Sequence, residues 1–181
     1  SELEKLDKES RDSIRKSEDS VRRLEEESEE SIERSKRLVE ELKRLADEVI
    51  RRLEDMARRG TDKTKIRELI KRLKELAEEV VKRNSELVER NRRRIEEVER
   101  TNEELVRRNE ETIKEVLKKT RDEDVLRAIE ESMKRARKAV EDSLRRIRES
   151  LEKVKEEVRR SNEKIKKIVK EVREVVERIA D

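Results

Sequence analysis

The feature that most constrains this chain is an 18-residue repeat that carries polar and apolar residues together. Segments 83–100 and 101–118 are identical at nine of their 18 positions, and the pair Asn84/Asn91 returns as Asn102/Asn109. Eighteen residues make five turns of an α-helix, so repeated residues fall on one straight line along it. A strict heptad would instead favour a left-handed supercoil. The repeat therefore predicts long, nearly straight helices.

The first interruption of the helical pattern lies at Gly60, the only glycine in the chain. It follows the basic pair Arg58–Arg59, and a positive last turn followed by glycine is typical of a helix C-terminus. Thr61 or Asp62 is then the predicted N-cap of the next helix.

The second interruption has no glycine and is predicted from capping residues alone. The basic pair Lys118–Lys119 closes a helix, and Thr120 and Glu123 have the spacing of a capping box, with Asp122 as a competing cap. The predicted helices therefore span about 2–59, 63–119 and 122–180. Because the turns between them are short, sequential helices are expected to be antiparallel.

The width of the apolar stripes predicts how these helices pack. Each stripe covers about 140–160° of its helix, which suits a helix that contacts two neighbours. Charged residues make up 57% of the 181 positions and aromatic residues 0%, so little apolar material is available for separate compact cores. We therefore predict an all-α fold, an antiparallel three-helix bundle forming a single elongated domain over 1–181, either complete or part of a larger bundle.

Folding back at the two turns predicts which polar residues meet inside the bundle. Facing residues have numbers that add up to about 122 for the first two helices and about 243 for the last two. Each asparagine then faces one serine from each neighbour: Ser13 and Ser132 for Asn109, Ser20 and Ser143 for Asn102, Ser31 and Ser150 for Asn91, and Ser35 and Ser161 for Asn84. The same layers are expected to include Ser10, Ser17 and Ser28 at the centre of the first stripe, and Thr101 and Thr112 at the edge of the second.

The chemistry of these side chains explains why they can be buried together. A carboxamide offers two N–H donors and a carbonyl acceptor, whereas a serine hydroxyl both donates and accepts. One asparagine between two serines can thus satisfy its hydrogen bonds across three helices. A buried polar group left unpaired would cost about 1–3 kcal/mol, so a slipped register is penalised.

The composition argues against catalysis, metal binding and cofactor binding. The chain contains neither histidine nor cysteine, and a serine without an activating base is not a nucleophile. Glutamate and aspartate are expected on outer faces, paired with lysine or arginine. No apolar run is long enough to span a bilayer, and interleaved charges with a net charge of +3 do not favour nucleic acid. We therefore expect no enzyme activity, cofactor, membrane partner or nucleic-acid partner.

The whole chain resembles de novo designed helical bundles with buried hydrogen-bond networks. The resemblance rests on the repeated asparagines, the serine series of residues 10–35, the Glu/Lys/Arg surfaces and short turns such as residues 60–64. It implies a structural scaffold with no natural activity and no native location, expressed as a soluble cytoplasmic protein in a recombinant host. It also implies an alternative: an interaction module whose buried networks set partner specificity, either as three helices of a four-helix heterodimer or caged switch that a partner helix completes, or as a subunit of a homo-oligomer.

Overall fold

The computed structural model describes residues 1–60 and 62–180, except for the side chain of residue 180. It consists of three helices: α1 (Glu2–Arg59), α2 (Lys63–Lys119) and α3 (Glu123–Ala180). The three long helices pack as a bundle, which confirms the predicted fold class. The first two helices have the predicted bounds, and α3 begins one residue later than predicted.

The ends of α1 are capped by local hydrogen bonds. The hydroxyl of Ser1 accepts a hydrogen bond from the backbone N–H of Glu4 at 3.3 Å. At the other end, the N–H of Gly60 donates to the carbonyl of Met56 at 2.9 Å, and Gly60 has a φ of 69°. Glycine adopts this left-handed conformation without the steric cost that a Cβ atom imposes, so it ends the helix at Arg59.

Aspartate side chains cap the other two helices. Asp62 Oδ1 accepts a hydrogen bond from the N–H of Thr64 at 2.9 Å, whereas the alternative cap, Thr61, lies outside the described residues. For α3, Asp122 Oδ1 accepts from the N–H of Val125 at 3.0 Å, and the Thr120 hydroxyl donates to the Asp122 carboxylate. Asp122 is therefore the N-cap in place of Thr120, which is why α3 starts at residue 123.

Contacts within the chain define two units, each built from parts of all three helices. The first, unit 1, comprises Ser1–Ser28 and Arg90–Glu152, and the second, unit 2, comprises Glu29–Glu89 and Lys153–Asp181. The single domain over 1–181 stays a prediction.

Unit 1 has two apolar clusters, and its buried polar residues include many serines and asparagines. One cluster contains Leu6, Val116, Val125 and Ile129, and the other contains Val21, Leu24, Val98 and Ile147. The core of unit 2 is a larger cluster that draws on all three helices: Leu42, Ala46, Val49, Leu53, Ile66, Leu73, Ile168, Val172 and Val175. Each unit therefore has apolar packing of its own.

The conformation of Gly60 leads to a test of the first turn. No heavy atom lies within 4 Å of a Cβ built at this position, so a substitution there is opposed by backbone conformation and not by a clash. Gly60→Ala should lower the free energy of unfolding by about 1–2 kcal/mol in urea denaturation. Gly60→Asn should cost less, because asparagine tolerates the left-handed region better than alanine. Equal losses for the two variants would contradict this explanation.

Candidate functional site: the buried serine and asparagine layers

The layer at Asn84 joins all three helices within unit 2. The Ser35 hydroxyl donates to Asn84 Oδ1 at 2.9 Å, and Asn84 Nδ2 donates to Ser161 Oγ at 2.9 Å. All three side chains are buried. One carboxamide thus accepts a hydrogen bond from α1 and donates one to α3. Replacing Ser35 or Ser161 by an apolar residue would therefore leave a buried polar atom of Asn84 unpaired.

The layer at Asn91, in unit 1, uses the carboxamide differently. Asn91 Nδ2 donates to both Ser28 Oγ at 3.1 Å and Ser150 Oγ at 3.0 Å, and the two hydroxyls lie 3.1 Å apart. The three polar groups therefore form a closed triangle. The buried Oδ1 of Asn91 finds no hydrogen-bond partner within the described part of the chain.

The layer at Asn102 is connected through the serine of α1. The Ser17 hydroxyl donates to Asn102 Oδ1 at 2.7 Å, and its oxygen lies 3.0 Å from Ser143 Oγ. Ser17 is only 1% exposed. Ser17 therefore occupies the central position of this layer, which asparagine occupies in the layers at Asn84 and Asn91.

The layer at Asn109 is incomplete. The Ser132 hydroxyl donates to Asn109 Oδ1 at 2.7 Å, which joins α3 to α2. Ser10 of α1 is buried, and its hydroxyl oxygen has no partner among residues 1–60 and 62–180. This layer therefore has only one hydrogen bond between helices.

The observed pairs correct the predicted register between α1 and α2. The residue numbers of Ser17/Asn102, Ser28/Asn91 and Ser35/Asn84 each add up to 119 instead of about 122. Ser17 thus replaces Ser20, and Ser28 replaces Ser31. The shift is three residues, about one turn or about 4.5 Å. Counting from the middle of the turn assumes that the two helices are not staggered, and the observed pairs show that they are.

The register between α2 and α3 agrees with the prediction. The residue numbers of Asn91/Ser150 and Asn109/Ser132 add up to 241, and those of Asn84/Ser161 add up to 245, on either side of the expected 243. The alternation follows from helix geometry, because spacings of 7 and 11 residues on each helix place successive side chains slightly to either side of the shared line.

The remaining residues predicted for the layers lie beside them. Ser13, Ser20 and Thr112 are buried, and the Ser20 hydroxyl is another buried oxygen without a partner in the described chain. Ser31 is only half-buried. Thr101 Oγ1 donates to the carbonyl of Val98 in its own helix at 2.8 Å, so it satisfies its hydroxyl locally instead of across helices.

Ion pairs flank the layers of unit 1 and join α1 to both neighbours. The half-buried guanidinium of Arg94 donates to the two carboxylate oxygens of Glu27 at 2.6 and 2.5 Å, and to Glu97 at 2.7 Å. Arg146 of α3 pairs in the same two-pronged way with Glu25. These hydrogen bonds raise the pKa of both arginines, because the carboxylates favour the charged guanidinium.

A buried glutamate was missed by the sequence analysis, which expected every carboxylate on an outer face. Glu157 of α3 is only 5% exposed, and burial raises its pKa against the opposing charges of Lys36, Arg160 and Lys164, while Glu33 adds to the rise. The signal was present in its spacing. Glu157 lies four residues before Ser161, which places it on the same face of the helix.

These contacts give the layers a structural chemistry. Neutral hydroxyls and carboxamides exchange hydrogen bonds inside the bundle, and the hydrogen-bond partners of Ser17, Ser28 and Ser35 are other hydroxyls or carboxamides of the layers. Among the described residues, no group of three or more candidate metal ligands comes together. None of the described helices has a stretch apolar enough and long enough to cross a membrane. What the arrangement can do is hold three helices in one alignment.

The contrast between Ser17 and Ser10 leads to a matched test of the layers. Ser17→Ala removes a buried hydroxyl that bonds Asn102 and leaves that carboxamide oxygen without its donor. The free energy of unfolding should fall by about 1–3 kcal/mol in chemical denaturation. Ser10→Ala removes a buried hydroxyl that has no partner and should leave stability unchanged or increase it. A loss for Ser10→Ala as large as that for Ser17→Ala would refute the assignment.

Burial of Glu157 predicts a pH dependence of stability. Below the ordinary glutamate pKa of 4.5, the carboxyl is protonated in both folded and unfolded chains. As the pH rises above that value, the unfolded chain ionises first, so the folded state loses stability until its own raised pKa is passed. Glu157→Gln should therefore be neutral at about pH 3 and stabilising at about pH 7. Thermal unfolding of both proteins across this range measures the difference.

A neighbouring glutamate provides the control. A hydrogen bond from Arg159 lowers the pKa of the exposed Glu156, so its contribution has the opposite sign and is lost as the pH falls. Glu156→Gln should not stabilise the protein at neutral pH. If Glu157→Gln has the same effect at both pH values, burial does not determine the ionisation of this group.

No protein-family model matches the sequence, and no curated protein matches it. The chain is similar to a solved structure described as a "Computationally designed three helix bundle", with 22% sequence identity and a TM-score of 0.46. The alignment covers 99% of this chain and 84% of the other.

Proposed function

We propose that this chain is a designed structural scaffold without a natural biochemical activity, whose buried polar layers specify how its helices pair and in which register. One observation carries the proposal: in unit 2, the carboxamide of Asn84 bridges Ser35 of α1 and Ser161 of α3. Two further layers in unit 1 repeat the combination of one asparagine with a serine from each neighbour.

The spacing of the central serines supports a role in register. Residues 10, 17, 28 and 35 of α1 are separated by 7, 11 and 7 residues, and the four asparagines of α2 have the same separations. With equal separations, sliding one helix by one interval would keep three of four pairs together. With these separations, a slide of 7 or 18 residues keeps two pairs and a slide of 11 keeps one. Among these four serines, any slide by 7, 11 or 18 residues therefore separates at least two asparagines from their serine of α1.

The energetic consequence follows from the cost of unpaired groups. Each buried asparagine without a partner costs about 1–3 kcal/mol, so two of them disfavour a slide by 7 or 18 residues by several kcal/mol. Leucine at the same positions would bury more apolar surface but would not distinguish between registers as strongly. Buried polar residues can thus lower maximal stability and still favour one arrangement.

A second function, as an interaction module, is favoured by one observation. Val106 of α2 and Met133 of α3 are 42% and 46% exposed, and both line an open groove between these helices in unit 1. An apolar groove on a bundle surface is a common feature of helix-binding sites. This observation supports a partner but does not require one for folding.

The register proposal is tested by replacing Asn84, Asn91, Asn102 and Asn109 together with leucine. We expect the melting temperature to rise, because each substitution buries more apolar surface. We also expect more than one helix register. Spin labels on cysteines introduced at the exposed positions Arg22 and Arg100 would report it, since the chain has no cysteine of its own. A seven-residue slide would displace one label by about 10 Å along the helix axis and so change the distance between the labels.

The fifth asparagine of the chain provides the matched control. Asn162 lies exposed on α3, so Asn162→Leu changes composition without touching a layer. It should leave the distance distribution between the labels unchanged. A single native distance in the fourfold leucine variant, or a large fall in its melting temperature, would overturn the proposal.

A further inference from the structure

In unit 1, an open groove lies between α2 and α3, whereas charged side chains cover the contacts of α1 with α2 and with α3. Its volume is about 310 Å³. Its floor contains the short side chains of Asn109 and Ala136, which are buried, while larger apolar side chains stand on either side. The apolar and amide lining consists of Val106, Asn109 and Ile113 from α2, and Met133, Ala136 and Val140 from α3.

The seams beside α1 are covered by charged side chains. Arg94 and Arg146 lie across them in paired contacts with Glu27 and Glu25. Arg135 of α3 adds an ion pair with Asp7 at 3.1 Å. The long stems of these arginines cover the apolar surface between the helices. By contrast, the α2–α3 groove exposes valine and methionine directly to solvent.

The two walls of the groove carry opposite charges about one helical turn apart along the bundle axis. Glu110 lines the groove from α2 and Arg137 lines it from α3, and Glu141 lies one turn beyond Arg137 on the same wall. In the part of the chain that the structure describes, neither Glu110 nor Arg137 is in an ion pair. Both charges are therefore available to a partner that covers the groove.

We propose that the α2–α3 groove of unit 1 is the docking surface for a second copy of this chain. A two-fold axis along the groove places α2 of each copy against α3 of the other at the same level. Glu110 of each copy then lies about one turn from Arg137 of the other, within reach of the long arginine side chain, so one complementary pair is formed twice. A two-fold axis across the groove would instead bring like walls, and like charges, together.

The apolar residues fit the same arrangement. The exposed side chain of Met133 is long and unbranched, so it can fill the depression above Asn109 and Ala136 when the other copy covers it. The net charge of +3 is small for a chain of 181 residues, so overall repulsion between copies is weak. A short apolar strip with a few charges at its edges belongs to the small, weakly associating class of interfaces.

This proposal deepens the interaction function and names its partner, and it does not affect the scaffold role. Sedimentation velocity and light scattering should be measured from about 1 µM to about 1 mM, where small interfaces associate. We expect the mass to rise from 21.9 kDa towards twice that value with concentration. Val106→Lys should abolish the rise, whereas Leu3→Lys, at a residue of α1 that is 37% exposed, should not.

Charge exchange distinguishes this arrangement from any other dimer. Glu110→Arg alone and Arg137→Glu alone should each raise the dissociation constant by about tenfold or more, because each places like charges together twice. The double variant should restore association, and so should a mixture of the two single variants. Helical content by circular dichroism should be unchanged throughout.

Two outcomes would overturn the proposal. One is a wild-type protein that stays monomeric over the whole concentration range. The other is a dimer that is indifferent to both charge variants and to Val106→Lys. In either case, a retained single register in the spin-label measurement would leave the scaffold function standing.

Discussion

The structure depends on one constraint: a carboxamide placed inside a bundle must find hydrogen-bond partners there. Asn84 meets this requirement by accepting from one neighbouring helix and donating to the other. Once asparagine occupies the centre of α2, serine is needed at matching positions of α1 and α3, and matching positions require the helices to stay in one register. The 18-residue repeat, the hydroxyl series and the short capped turns are therefore consequences of a single choice of buried group.

Most of the fold could be predicted because the signals that determine it are local. The turn at Gly60 and the bounds of α1 and α2 follow from residues next to one another, and the caps differ from prediction only where Thr120 and Asp122 compete for the same helix end. The register between α2 and α3 was also predicted, by counting from the middle of a turn that has the same three-residue length as the first turn. The register between α1 and α2 was not, because the stagger of two helices depends on the three-dimensional path of the turn and not on its length.

The details of the layers and their surroundings were harder to predict for a related reason. Serine recurs so often along α1 that a shift of one turn exchanges Ser20 for Ser17 at a similar depth, and only the orientation of the helix decides between them. The burial of Glu157 depends in the same way on how far the neighbouring helices cover the edge of α3. The apolar stripe of a helix shows which residues face the core on average. It does not show how far the neighbouring helices bury the residues at the edge of that stripe.

The spacing of the layers has a consequence for the direction of the chain. Separations of 7, 11 and 7 residues read the same forwards and backwards, so the serine row of α1 matches the asparagine row of α2 whether the two helices run antiparallel or parallel. The layers thus specify how far one helix is displaced along the other, but not whether the two helices run parallel or antiparallel. The relative direction of α1 and α2 is set by the covalent connection between them, which begins at Gly60 in its left-handed conformation. If the chain were divided at this turn, the layers would still specify the register between α1 and α2, but nothing in the layers would specify their relative direction.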